Sequence, residues 1–410
     1  MNADVFRLIK IYLIEIFSLN SFRTKDSKSI LKAVGMMVLY LFLGGMIAFY
    51  VAVFSFLFAV MDRGLFIFPL CGLVSFFLTF LTVLFKSPSF LYGAKDTAML
   101  SAMPIRSRDF ILARLSVLYL FELPFHTVLF LPALIVYALV ASPPVGFYGA
   151  FFVGFFFLPV VPFFLAVLFG VLIAYIASRF RFVKAVSIVL LLALLAGFLC
   201  LLYNPANFTF LNRMTDGSAE AAALFFQEVI DSVLGGNWFF ENYRAVFSGS
   251  VSSVLLFVGV SIALAVLVCL FLFRNYLRFV DAIHLPFRKK GFKREAITAS
   301  APVWALYRRE RKRYFSSVSY VVNTLTGSLF LVIASVAALA VGREGIRHAL
   351  DSVFTGLPLN FAQAVPILMC FFIGMAPTTA VSLSLEGKNF WILQTLPVTP
   401  SAIYFSKVLV

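Results

Sequence analysis

The chain has 410 residues, of which 62% are hydrophobic and only 12% charged, and its formal net charge is +15. A soluble domain carries about a quarter charged residues, so a soluble globular fold is excluded, and the alternating ~10-residue strands of a membrane barrel are absent. Uninterrupted apolar runs of about 20 residues match a ~30 Å hydrocarbon core, so the expected fold is all-α, a polytopic helical membrane protein.

Residues 1–32 hold no apolar core followed by a small-residue cleavage site, so they do not read as a signal peptide. Phe6, Ile9, Leu13 and Phe17, with Arg7 and Lys10, instead predict an amphipathic elbow helix at the interface. Eight spans are expected, at 33–60, 64–85, 115–141, 145–177, 185–203, 251–273, 317–342 and 359–386. The fourth is too long for an upright crossing, and Pro159 and Pro162 suit a kink there. The loop 204–250 carries Ala221–Leu234, a short helix former stopped by Gly235-Gly236 and followed by Trp238-Phe239-Phe240. Residues 281–300 form a basic linker with Pro286 and Gly291. A second elbow then starts at Pro302, where Trp304, Leu306, Tyr307 and Phe315 are expected to face lipid while the arginines snorkel.

With these spans, 28 of the 33 Lys and Arg residues fall on the side of the amino terminus. That asymmetry predicts a cytoplasmic amino terminus in the cell membrane. It also favours an anionic inner leaflet. The basic residues are spread over loops rather than one face, so no nucleic-acid partner is expected. Cys71, Cys200, Cys269 and Cys370 all lie in expected spans and read as packing residues, with no metal site.

Two stretches 293 residues apart share a pattern. Lys95-Asp96 leads to Pro104 and then Arg114, and Lys388-Asn389 leads to Pro397 and then Lys407. The spacing is nine residues from lysine to proline in both copies, and ten from proline to Arg114 or Lys407, although Arg106 and Arg108 intervene in the first copy. Each copy follows an expected span, so the chain divides into a six-span unit, 1–280, the linker 281–300, and the start of an equivalent unit, 301–410. On that reading the chain is expected to be a fragment of a protein of about twelve spans. Pro104 is expected to begin a small surface helix, since proline suits the first turn, with Arg114 near its end. Arg106, Arg108 and Arg114 would then be available to acidic partner residues. In the second copy Thr399, Pro400, Ser401 and Ala402 replace Arg106, Ser107, Arg108 and Asp109.

Catalytic motifs are missing. No GxxxxGK[ST], HExxH or GxSxG pattern occurs, so no catalytic residue is assigned, and any ATP work must come from another polypeptide. Glu122 and His126 lie four apart in the third span, where one helix face could pair them, although Pro124 between them disturbs that geometry. Ionisable groups at membrane depth are functional candidates by default.

The stretch from Asp96 through Met103-Pro104-Ile105 to Asp109 and Arg114 resembles the loop after the second span in permeases of type-2 ATP-binding-cassette (ABC) exporters. Glu386-Gly387-Lys388 through Leu396-Pro397-Val398 resembles the second copy in fused double-length members. Tyr307 to Phe315 resembles their elbow into the second half. The resemblance implies an export permease, not itself an enzyme, whose partner is a cytoplasmic ABC ATPase that binds ATP and Mg, with no cofactor on this chain. It implies that Lys95, Asp96, Pro104, Arg106, Arg108, Asp109, Glu386, Lys388 and Pro397 couple the two subunits. Short re-entrant helices before the sixth span of that family would correspond to 204–250. A gradient-driven transporter or channel using Glu122 and His126 is the alternative, and a membrane scaffold or immunity protein a third reading.

Overall fold

The computed structural model describes residues 3–16, 27–60, 64–92, 106–178, 186–194, 246–247, 251–284, 301–316 and 390–409, with single residues and short runs between 320 and 387. The described residues form helices and no strands, as expected of an all-α polytopic membrane protein. Five helices are long and apolar enough to cross a bilayer: Ala33–Val60, Gly64–Leu91, Ser107–Ala141, Val145–Ser178 and Val251–Tyr276. They coincide with five of the eight expected spans. Of the other three, 185–203 is described only at 186–194, and 317–342 and 359–386 only at scattered residues. The 204–250 helix falls outside the described residues, as does the linker beyond His284.

The chain separates into two compact units, one formed by Met1–Tyr175 and Ala222–His284, the other by Ile176–Ala221 and Leu285–Val410. Its main break, at 284/285, lies close to the expected start of the linker, whereas 176–221 groups with the second unit rather than the first.

In the first unit the elements are α1 (Ala3–Ile16), α2 (Ser27–Val60), a short 3-10 turn (Gly64–Phe66), α3 (Ile67–Leu91), α4 (Ser107–Ala141), α5 (Val145–Phe157), α6 (Val160–Ser178) and α7 (Val251–His284). The long fourth span is broken at Leu158-Pro159 into α5 and α6. Pro159 has no amide hydrogen to continue the ladder. Pro162 falls in the first turn of α6, where a missing N–H leaves no gap. Pro124 and Pro132, by contrast, lie inside an unbroken α4.

Aromatic packing fills this unit. Phe68 stacks on Phe247 with ring centres 5.0 Å apart and planes at 9°, and Phe147, Phe151 and Tyr137 crowd the same rings edge-on or tilted. Burying rings of this size supplies most of the packing enthalpy available where lipid offers no hydrophobic drive. At Gly170 of α6 a Cβ would collide with Ser87 Oγ and come within 2.8 Å of the Leu84 carbonyl oxygen, so α3 and α6 touch backbone to backbone.

The elbow α1 is buried along one stripe and open along another. Val5, Leu8 and Tyr12 are its buried residues, while Phe6 is exposed. Val5, Leu8 and Tyr12 are spaced by three and four, the stripe that packs on a neighbouring helix.

In the second unit the described elements are α8 (Pro302–Tyr314), α9 (Phe390–Gln394) and α10 (Pro400–Val408). Leu306 of α8 is not lipid-facing as expected. It is buried against Leu393 and Ile403, with Val398 alongside. Trp304 and Phe315 are exposed.

Candidate functional site

The repeated segments can be compared atom by atom. In the first copy Arg106 is extended (φ −68°, ψ 135°) and α4 begins at Ser107. In the second copy Thr399, 293 residues later, is extended (φ −69°, ψ 143°) and α10 begins at Pro400. The first helical hydrogen bonds agree as well. The Asp109 and Phe110 amides donate to the Arg106 carbonyl at 2.9 and 3.3 Å, and the Ala402 and Ile403 amides donate to the Thr399 carbonyl at 3.0 and 3.4 Å. Each member of the second set sits 293 positions after its counterpart.

Helix initiation departs from expectation in both copies. No separate surface helix ends near Arg114, because α4 runs on without a break from Ser107 to Ala141. In the second copy Pro397 does not start a helix. It lies exposed in the turn between α9 and α10, and the helix starts at Pro400. The reason is local: a residue that precedes proline is pushed out of the helical region, so Thr399 must be extended and Pro400 takes the first turn.

The next basic residue is buried in both copies, Arg114 fully and Lys407 to 3% exposure. Arg114 is therefore not available to a partner protein. Its Nε donates to the Tyr12 hydroxyl of α1 at 3.2 Å, Nη1 donates to the Leu91 carbonyl at the end of α3 at 2.6 Å, and the guanidinium lies 4.0 Å from the centre of the Phe110 ring. Lys407 repeats this placement with different chemistry. Its ammonium donates to Glu386 at 2.9 Å and pairs with Glu310 of the elbow α8 at 3.2 Å. Arg309 grips the Glu386 carboxylate with both terminal nitrogens, at 3.3 and 3.1 Å, and Arg313 also pairs with it. Each anchor thus ties an elbow helix to the helix that follows the repeated segment.

The highly charged α8 sets this cluster outside the apolar spans. Burial alone would raise the Glu386 carboxyl, but the hydrogen bonds and charges of Lys407 and Arg309 outweigh it and hold the group at about 2. Glu386 is consequently an internal tie and not a surface contact. Arg106, Arg108 and Pro397 are exposed, and Asp109 is half-buried. Lys95, Asp96, Pro104 and Lys388 lie outside the described residues.

A buried polar ladder runs between α3 and α4. Glu122 and His126 are both buried on the face of α4 that meets α3, and Pro124 does not turn them apart. They engage separate partners rather than each other. His126 Nδ1 is 2.5 Å from the Ser75 hydroxyl and Nε2 is 3.2 Å from the Thr79 hydroxyl. Thr82 donates to Glu122 Oε2 at 2.9 Å, while Oε1 has no hydrogen-bond partner among the described residues. The positions 75, 79, 82 and 86 follow helical spacing and end at Lys86, whose ammonium sits 3.9 Å over the Phe121 ring. Sequence reading found the two ionisable residues but not the hydroxyls. The Ser75-Thr79-Thr82 stripe was visible at helical spacing in an otherwise apolar span and could have signalled them.

No group of three metal-ligating side chains occurs among the described residues. No family model, no curated protein and no solved structure matches the chain.

Proposed function

We propose that this chain is the membrane permease of an ABC-type exporter, driven by ATP hydrolysis on a separate cytoplasmic subunit. The observation that carries this reading is the pair of segments with one local geometry, each tied by a buried cation to its own elbow helix. A mechanical input needs such a tie. A push on the exposed Arg106–Arg108 turn passes through Arg114 to α1 and α3, and continues along α4 into the membrane without a joint. A push on the turn at Pro397 passes through Lys407 and Glu386 to α8. In this reading the amino terminus and both turns face the cytoplasm, and no cofactor is held by this chain.

The first test is whether a reading frame beside this gene encodes a Walker-motif ATPase; such a protein, co-expressed, is expected to co-purify with the full chain in mild detergent. Reversing charge in Arg106→Glu/Arg108→Glu is expected to lower recovery of the ATPase at least about tenfold, since opposed charges at a docking surface cost several kcal/mol. Unchanged recovery would overturn the assigned role of these arginines.

The buried ladder favours a second reading, gradient-driven transport. A carboxylate with one unpartnered oxygen at membrane depth is a candidate for handling a proton or cation. Flux in proteoliposomes that persists without any ATPase and is abolished in Glu122→Gln would replace the first reading with this one.

A further inference from the structure

The exposed turn at Arg106 is one wall of a cavity in the first unit. The cavity measures about 700 Å³ and is lined by Arg106, Ser107 and Arg108 of the α4 start and by Phe273, Arg274, Tyr276 and Arg278 of α7. Four arginines line it, with no carboxylate among the described lining residues. Among the described residues none of the four forms an ion pair, and the one contact is a long 3.5 Å hydrogen bond from Arg278 to Asn275. Like charges gathered around one cavity repel one another, and a bound anion removes that repulsion. The Ser107 and Arg108 amides, which no side chain caps among the described residues, add donors at the positive end of α4, whose first turn also carries the half-buried Asp109.

We infer that this cavity binds the phosphate-bearing headgroup of an anionic phospholipid. Arginine is the side chain suited to the task, because its planar fork takes two phosphate oxygens at once. Depth decides for a lipid over a soluble phosphate ester. The apolar window of α7 ends at Tyr276, inside the cavity lining, so the arginines sit where hydrocarbon gives way to headgroups. Half-buried Phe273 closes the membrane side, and Leu270 and Leu267 continue from it as exposed apolar residues along which acyl chains can lie. A zwitterionic headgroup brings its own cation into a site already holding four, so a net negative charge is required. Arg106 and Arg108 also form the ATPase contact of the exporter reading, so the test is placed on Arg274 and Arg278, which have no part in that contact and let the two readings fail separately.

The experiment uses the full chain purified in uncharged detergent, with native mass spectrometry to count bound lipid and thermal unfolding as a second readout. The probes are dioleoyl phosphatidylglycerol, dioleoyl phosphatidylcholine and inorganic phosphate. Phosphatidylglycerol is expected to bind at least about tenfold more tightly than phosphatidylcholine, and the exposed pair Arg274→Gln/Arg278→Gln to lower that affinity by about tenfold or more. The double lysine variant, Arg274→Lys/Arg278→Lys, keeps the charge and loses the fork, and should fall between. Arg308→Gln/Lys312→Gln removes two exposed charges elsewhere and should leave binding unchanged. Equal binding of the two lipids, an equal loss in the Arg308/Lys312 control, or inorganic phosphate competing as well as the lipid would each overturn the proposal. So would loss of the ATPase with lipid binding intact in Arg274→Gln/Arg278→Gln, because the cavity would then be a protein contact.

Discussion

The anchors at Arg114 and Lys407 occupy the same place in two copies of one segment, yet they are held in opposite ways. Arg114 rests on a phenol, a carbonyl and a ring, whereas Lys407 sits in a cluster with Glu310, Glu386, Arg309 and Arg313. The backbone that presents them is the same to within a few degrees at the residue before the helix. Position was thus kept while chemistry was exchanged, so what this scaffold requires is a buried cation reaching an elbow helix, whatever receives it. The second arrangement is the more brittle one. Its members are charged on both sides, and removing buried Lys407 strips the buried carboxylates Glu310 and Glu386 of a partner, while Arg309 and Arg313 stay partly exposed.

That difference can be broken experimentally. The largest effect is expected from Lys407→Met, which removes the buried one of the two cations that bridge Glu310 and Glu386 and leaves the partly exposed Arg309 alone between them, a loss of about 3 kcal/mol. Thermal unfolding of the detergent-solubilised chain would show it. Arg114→Met should cost less, about 2 kcal/mol, for the stranded Tyr12 hydroxyl and Leu91 carbonyl. Equal losses would mean that the two cradles do not differ in kind.

Acid should separate the copies further. A carboxyl held at about 2 in the folded chain and near 4.5 when unfolded contributes stability above the higher value and loses it as pH falls toward the lower. The Trp304 and Trp391 region of the second unit should therefore loosen between about pH 4.5 and 2, followed by tryptophan fluorescence in a Trp238→Phe background. A phenol, a carbonyl and a phenylalanine ring do not titrate in that window. Loosening of the Arg114 region over the same range would refute the assignment.

Smaller changes sharpen the comparison. Gly387 has φ +50°, so Gly387→Ala should cost about 1–2 kcal/mol in the second copy. The Thr399 hydroxyl accepts from Ser401 instead of capping α10. Thr399→Asp should supply the missing cap and raise stability by about 0.5–1 kcal/mol. No gain would place the limit of α10 stability elsewhere than in its first turn.

The membrane class and the positions of five spans were legible because an apolar run of bilayer length has few other uses. The repeat was legible because proline and basic residues kept their spacing. Helix starts were harder to read. Pro397 and Pro400 compete for one boundary, and only the backbone preference of Thr399 decides between them. Burial of charge was harder still. Arg114, Glu386 and Lys407 look like surface residues of a loop, and their partners Tyr12, Glu310 and Arg309 lie up to about a hundred positions away. The four-arginine cavity escaped notice for the same reason, since Arg106 and Arg274 belong to distant parts of the chain.

The contact at Gly170 has a mechanical corollary. The glycine lets the two main chains meet at that one point, so a larger residue there would push α3 and α6 apart. The helix break at Leu158-Pro159 separates that meeting point from α5, so a swing of α5 about the break would leave it in place.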